Sequence, residues 1–129
     1  MRETTRQWLD LAKTDLLACE RLIDDVFLTN IVAFHAQQVC EKCFKAIIEE
    51  NELQLQKTHN LSRLVGLIPT LPFEIDITIL QLTDSVYTTS RYPGDLGLMP
   101  EGKPSIELVG KLYRFANQIF NDTHIYLSH

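Results

Sequence analysis

The fold is indicated first by residues 29–52, which read TNIVAFHAQQVCEKCFKAIIEENE. At about 100° per residue, its apolar and polar side chains fall on two separate arcs of a helical wheel. The apolar arc holds Val32, Ala36, Val39, Cys40, Cys43, Ala46 and Ile47, and the polar arc holds His35, Gln38, Glu41, Lys42, Lys45 and Glu49. The pattern predicts an amphipathic helix, capped by Thr29 or Asn30, whose polar arc faces solvent. Phe34 lies on that polar arc and is a candidate contact for a partner.

Similar periodicity on both sides of this helix predicts further helices. Before it, a stripe at Leu9, Ala12, Leu16, Cys19 and Ile23 predicts a first helix over about 4–24. After it, Thr58 or Asn60 can start a short third helix that ends before Pro69.

Two longer helices follow. Residues 73–90 place Ile75, Ile79, Leu82 and Val86 at helical spacing, and their length favours helix over strand despite the many β-branched side chains. A segment rich in proline and glycine over 93–104 predicts an irregular loop, and a last helix begins near Ser105. The sequence therefore predicts an all-α protein, an antiparallel up-and-down bundle of four to five helices.

Length and charge narrow the possible functions. The chain has 129 residues, which suits one domain over 1–129, and its formal net charge is -5. This charge opposes non-specific attraction to nucleic acid or to an anionic membrane, because both depend on neutralising phosphate with Lys and Arg. The N-terminal residues do not form a signal-peptide core and no long apolar run is present, so we expect a cytoplasmic protein without a membrane partner.

The sequence contains no convincing metal or cofactor motif. Cys40 and Cys43 form a Cys-x-x-Cys pair, but a zinc site needs more ligands and reactive pairs lie at helix starts rather than on an apolar arc. The four histidines show no metal-binding spacing, and phosphate-loop, dinucleotide and nucleophile-elbow signatures are missing. We therefore predict core cysteines, no metal site and no cofactor.

The remaining candidate is the junction between the fourth helix and the loop, where Arg91, Tyr92 and Asp95 follow one another closely. An arginine here can offer its planar donors to phosphate or carboxylate, and a neighbouring aromatic ring can stack on a base. Alternatively, Arg91 caps the last carbonyls of its own helix and Tyr92 packs on the bundle. The chemistry of the residues leaves both readings open.

Three segments together resemble the HEPN domain family. They are Trp8-x-x-x-Ala12-x-x-Asp15-Leu16, the run from Ala33 to Ala46, and His59-x-Leu61-x-x-Leu64 followed by Arg91-Tyr92-Pro93. The resemblance implies a small helical bundle that is commonly dimeric. It also implies a partner, since many such domains are encoded beside a minimal nucleotidyltransferase and bind it, in pairs that often behave as toxin and antitoxin.

Site residues follow from the same resemblance. The catalytic branch of the family is a metal-independent ribonuclease in which four to six residues separate an arginine from a histidine. At that spacing after Arg91 stand Leu96, Gly97 and Leu98. We therefore expect a non-catalytic homodimeric module that binds a nucleotidyltransferase, and a nucleotide or RNA phosphate through Arg91, Tyr92, Asp95 and Lys45. The alternative is a divergent ribonuclease that uses Arg91 with His59 or Tyr92.

Overall fold

The structure, a computed structural model, describes residues 1–90 and 103–128. This part of the chain forms five α-helices and no strand, and the predicted all-α bundle is confirmed. The helices are α1 (Glu3–Leu22), α2 (Thr29–Glu50), α3 (Leu61–Gly66), α4 (Ile77–Ser90) and α5 (Ile106–Leu127), with a short 3-10 helix at Val26–Leu28 before α2.

Helix α2 forms the centre of the bundle and packs against each of the other four helices. Its predicted apolar arc is fully buried. The prediction that its polar arc faces solvent is wrong, because a helix with neighbours on nearly all sides has no free face. Glu41 and Lys45 are only 3% and 8% exposed, and Ile31 is the one exposed residue of this helix.

Phe34 also contacts the bundle itself. Its ring stacks on that of Tyr87 from α4, with 5.7 Å between the ring centroids, and meets the edge of the His35 ring at 5.1 Å. The half-buried Phe34 side chain therefore joins α2 to α4.

Side-chain caps define most helix starts. Asn60, one of the two predicted starts of α3, accepts from the backbone N–H of Arg63 at 2.8 Å. Ser105, near which the last helix was predicted to begin, accepts from the backbone N–H of Leu108 at 3.1 Å. The predicted cap of α2 is wrong: Thr29 already lies inside the helix, and the preceding residue, Leu28, makes no side-chain cap. The chain enters α2 directly from the 3-10 helix, which Asp25 caps through the N–H of Phe27.

Helix α4 differs from the prediction in its start and its buried face. It begins at Ile77 rather than Phe73, because the Asp76 carboxylate accepts from the N–H of Ile79 at 3.2 Å. Its buried side chains are Leu80, Thr83, Val86 and Tyr87. Thr83 can occupy this face because its hydroxyl donates to the Ile79 carbonyl at 2.7 Å.

Helices α1 and α5 run antiparallel with a constant register. The hydroxyl of Tyr113 donates to Glu20 at 3.0 Å, and seven residues away along both helices the Lys13 ammonium lies 5.4 Å from the Phe120 ring centroid. Neither these two helices nor any other helix within residues 1–90 and 103–128 combines the length and apolar character needed to cross a membrane.

Candidate functional site

The polar side of α2 is organised around the carboxylate of Glu41. The Lys45 ammonium donates to Glu41 Oε2 at 3.0 Å, and Nδ1 of His59 lies 3.0 Å from Glu41 Oε1. Lys45 is one helical turn beyond Glu41, whereas His59 comes from the loop between α2 and α3. Two cationic or potentially cationic groups therefore share one buried carboxylate, which compensates for its lost hydration.

Two glutamines of α2 extend this arrangement. Gln38 donates to the side-chain oxygen of Gln37 at 2.9 Å, and Gln37 donates to the backbone carbonyl of His59 at 2.7 Å. We call Gln37, Gln38, Glu41, Lys45 and His59 the Glu41 cluster. Because Gln37 is fully buried, its bond to the His59 carbonyl fixes the loop before α3 against the central helix.

Asp84 of α4 lies beside this cluster and holds the start of α3. One carboxylate oxygen accepts from the backbone N–H of Leu61 at 2.8 Å, and the other lies 3.4 Å from the Gln37 amide nitrogen. Burial raises the pKa of Asp84 above its ordinary value, although the hydrogen bonds from Leu61 and Gln37 act in the opposite direction. Asp84 therefore connects three helices through a carboxylate that is costly to ionise.

A second buried carboxylate, Asp15 of α1, binds the other edge of the polar side of α2. Its oxygens contact Nδ1 of His35 at 2.7 Å and the Lys42 ammonium at 2.5 Å. Asp15 itself is 6% exposed. This pairing joins α1 to α2 and explains why the predicted solvent-facing His35 and Lys42 are half-buried.

Lys45 and His59 differ strongly in their access to solvent. The Lys45 ammonium is bonded to Glu41 and lies 5.2 Å from the centroid of the Trp8 ring, so its donors point into the bundle. The His59 side chain is 70% exposed, and its bond to Glu41 uses Nδ1 and not the other ring nitrogen, Nε2. A buried carboxylate that orients an exposed imidazole is an arrangement able to serve proton transfer or hydrogen bonding to a ligand.

The structure thus brings together two of the residues that the sequence singled out, Lys45 and His59, on Glu41. Arg91, Tyr92 and Asp95 lie outside the described residues, and their predicted roles stay predictions. Glu41 was not predicted to be the organising group. The spacing of Glu41 and Lys45, four residues apart on one helix, was the only available signal, since nothing in the sequence reveals that Asp84 and Gln37 meet.

The three cysteines pack in the hydrophobic core. All three are fully buried and unoxidised, and burial raises the pKa of Cys19 and of Cys43 to about 12 and the pKa of Cys40 well above its usual range. A thiol with such a pKa is a poor nucleophile and a poor metal ligand near neutral pH. No group of three or more histidine, cysteine or acidic side chains in the described part of the chain is arranged to hold a metal ion.

Comparison with known proteins gives one family and one fold. The family model of the HEPN domain matches residues 5–125. Two crystal structures share the fold: TT1696 from Thermus thermophilus, at 18% identity and a TM-score of 0.79, and ST0689, described as an archaeal HEPN homologue, at 22% identity and a TM-score of 0.68. The first comparison covers 95% of this chain and 98% of the other, and the second covers 96% and 97%. No curated protein matches the sequence.

Proposed function

This chain belongs to the HEPN domain family, and from that premise we propose that it is a non-catalytic interaction module. In this proposal the protein forms a homodimer, pairs with a minimal nucleotidyltransferase as a toxin pairs with its antitoxin, and binds a nucleotide or RNA phosphate through Arg91. The observation that carries the proposal is that nowhere in the sequence do four to six residues separate an arginine from a following histidine. A HEPN chain without that pair lacks the usual acid–base agent for attack by a ribose hydroxyl.

The proposed ligand site involves Arg91, Tyr92 and Asp95 as contacts and Lys45 as a nearby cation. Arg91 would bind phosphate in a bidentate manner, Tyr92 would stack on a base, and Asp95 would accept from a sugar or base donor. Lys45 can contact an anion only if its ammonium leaves Glu41, because it is 8% exposed in the bundle. We therefore assign Lys45 to supporting the site through Glu41 and His59 rather than to direct phosphate binding.

Partner binding is tested by two measurements on the purified full chain. Light scattering coupled to size exclusion should give the mass of a dimer rather than 14.9 kDa. Co-expression with the product of an adjacent reading frame, where that frame encodes a minimal nucleotidyltransferase, should give a complex that survives purification. A monomer that forms no such complex would remove both parts of the proposal.

Ligand binding is tested separately by titration with AMP, a nucleotide with a single phosphate. Arg91→Ala should weaken binding at least tenfold, since one bidentate arginine–phosphate contact is lost. Arg114→Ala is the matched control, because Arg114 is an exposed cation on α5 whose loss changes the net charge equally. Equal weakening by both variants would show that overall charge, and not Arg91, attracts the nucleotide.

The geometry of His59 favours one second candidate, a divergent metal-independent ribonuclease. Its Nδ1 lies 3.0 Å from the buried Glu41 carboxylate while the ring is 70% exposed, which would suit an oriented general base. Arg91 would then stabilise the developing charge on phosphate, with Tyr92 as the other candidate for proton transfer. RNA cleavage in EDTA by the wild type, lost in both His59→Gln and Arg91→Ala, would favour this candidate over the module.

A further inference from the structure

A groove outside the Glu41 cluster runs between α1 and α5. It has a volume of about 410 Å³, and the side chains that matter for its chemistry are Arg6, Leu9, Asp10, Lys13, Phe120 and His124. We call it the α1–α5 groove. Arg6 and Lys13 lie on the side of α1 opposite to Trp8 and Asp15, so this groove does not share a surface with the Glu41 cluster.

Two cations without an ionic partner line this groove. Arg6 and Lys13 are seven residues apart, which places them on one face of α1 with about 10.5 Å between their positions along the axis. No ion pair within residues 1–90 and 103–128 holds either of them. Asp10 is the one acid among the described residues of the groove. The described lining therefore carries two cations against one acid, in a chain whose net charge is -5.

The floor of the groove is aromatic. The ring of Phe120 is 7% exposed and stacks on that of His124, with 6.1 Å between centroids and an angle of 24° between planes. The Lys13 ammonium lies 5.4 Å from the Phe120 centroid, which places its charge above this floor. The exposed His124 offers an additional ring nitrogen at the end of the groove nearer Arg6.

We propose that the α1–α5 groove is a binding site for a small ligand that carries a diphosphate group. The planar Arg6 guanidinium takes one phosphate in a bidentate manner, and Lys13 acts as a point charge on the second. Because Arg6 and Lys13 are separated along α1, they suit a ligand with two linked phosphates better than a ligand with a single carboxylate. This site is independent of Arg91 and of the proposed function, and it can hold a ligand whether or not the chain pairs with a nucleotidyltransferase.

Calorimetric titration of the full chain with inorganic pyrophosphate at low salt tests the proposal. We expect saturable binding of one pyrophosphate per chain, weakened at least tenfold in the double variant Arg6→Gln/Lys13→Gln. The matched control is Lys111→Gln/Arg114→Gln, which removes two exposed cations of α5 that do not line the groove. Binding by the control should stay within twofold of the wild type.

Three outcomes would overturn the site: no saturable binding by the wild type at millimolar pyrophosphate, equal weakening in both double variants, or unchanged binding in Arg6→Gln/Lys13→Gln. A second readout does not depend on any variant folding. Amide chemical shifts of the wild type should change on titration around Arg6, Lys13 and His124, and shifts confined to other helices would contradict the assignment. Failure of the Arg91 experiments leaves this result unaffected, because Arg91 is intact throughout.

Discussion

Glu41 illustrates how one buried carboxylate can satisfy several neighbours. Its two oxygens face Lys45 and His59, and Gln38 lies 3.4 Å away. The free energy of desolvating the carboxylate and the Lys45 ammonium is offset only while both are present, since an unpaired buried charge is strongly destabilising. The Glu41 cluster therefore specifies the position of the loop before α3 more than it adds net stability.

Replacement of Glu41 tests this view. Glu41→Gln should lower the free energy of unfolding by about 3–5 kcal/mol, because it leaves Lys45 buried without its counter-charge. Glu49→Gln, a change of the same kind at a half-buried position of α2, should cost about 1 kcal/mol or less. Urea denaturation at neutral pH measures both.

A compensating variant separates pairing from packing. In Glu41→Leu/Lys45→Met, no unpaired charge remains, and the free energy of unfolding should recover most of the loss. If Glu41→Gln proved as stable as the wild type, the carboxylate would not be holding Lys45 and His59 as described.

The burial of the cysteines predicts low reactivity of their thiols. The pKa of Cys19 and Cys43 rises from 9.0 to about 12, which lowers the thiolate fraction at neutral pH by a factor of about 1,000. Labelling by iodoacetamide should therefore be at least that much slower in the folded protein than in urea, where all three thiols should react together. Rapid labelling of folded Cys40 or Cys43 would show a reactive pair instead of a packed one.

At the scale of elements, α3 depends most on its surroundings. A helix of six residues is too short to be stable alone, so its persistence requires capping and packing. Asn60, the residue before the helix, caps its first turn, and the Asp84 carboxylate of α4 accepts from the N–H of Leu61. Leu61 and Leu64 are fully buried. Its stability is therefore sensitive to small local changes.

Two substitutions in α3 should act in opposite directions. Asn60→Ala should lower the free energy of unfolding by about 1 kcal/mol through loss of the cap. Gly66→Ala should raise it by about 0.5–1 kcal/mol, since an added Cβ there meets no atom within 4 Å and alanine reduces the freedom of the unfolded chain. Thermal unfolding monitored by circular dichroism measures both, and a destabilising Gly66→Ala would contradict the open surroundings of Gly66.

Helix boundaries could be predicted from sequence where a cap is local. The starts of α3 at Asn60 and of α5 near Ser105 could be predicted, because the residues that mark them are neighbours of the helix in the chain. The start of α4 was missed because the hydrophobic spacing at Ile75 looked helical, while the Asp76 cap lies one residue later. The start of α2 was missed because Thr29 is a good cap residue that the preceding 3-10 helix makes unnecessary.

At the scale of the whole molecule, stability should depend on pH through two acids of opposite behaviour. The pKa of Asp84 is raised above 3.8 by burial. The folded state therefore holds its proton to higher pH than the unfolded state, and this contribution to stability falls as pH rises through the raised pKa. The difference in free energy of unfolding between wild type and Asp84→Asn should accordingly decrease from pH 3.8 upward and then level off.

Glu50 should show the reverse. The backbone N–H of Arg2, which donates to it at 2.9 Å, is the main cause that lowers the pKa of Glu50 below 4.5. The contribution of Glu50 to the free energy of unfolding is complete above pH 4.5 and is lost as pH falls through the lowered pKa. The difference in free energy of unfolding between wild type and Glu50→Gln should thus increase with pH. Parallel pH profiles for the two variants would refute the assigned directions.

The fold was more predictable than the site because periodicity reports burial of whole faces, whereas a site depends on contacts between distant residues. Leu9, Leu16 and Val32 could be placed in the core from spacing alone. The approach of His59 to Glu41 and of Asp84 to Leu61 depends on how the helices pack, which periodicity does not encode. For the same reason the polar arc of α2 was predicted as solvent-facing, since a wheel does not count neighbouring helices.

The central position of α2 has a consequence for how this sequence can drift over evolutionary time. Four of the five helices have a solvent-exposed face on which substitutions cost little stability. Helix α2 contacts all four of them and has almost no exposed face. In related chains that retain the fold at 18–22% identity, most substitutions should therefore lie outside α2. A superposition onto those two structures should find the residues shared with this chain concentrated along the innermost helix.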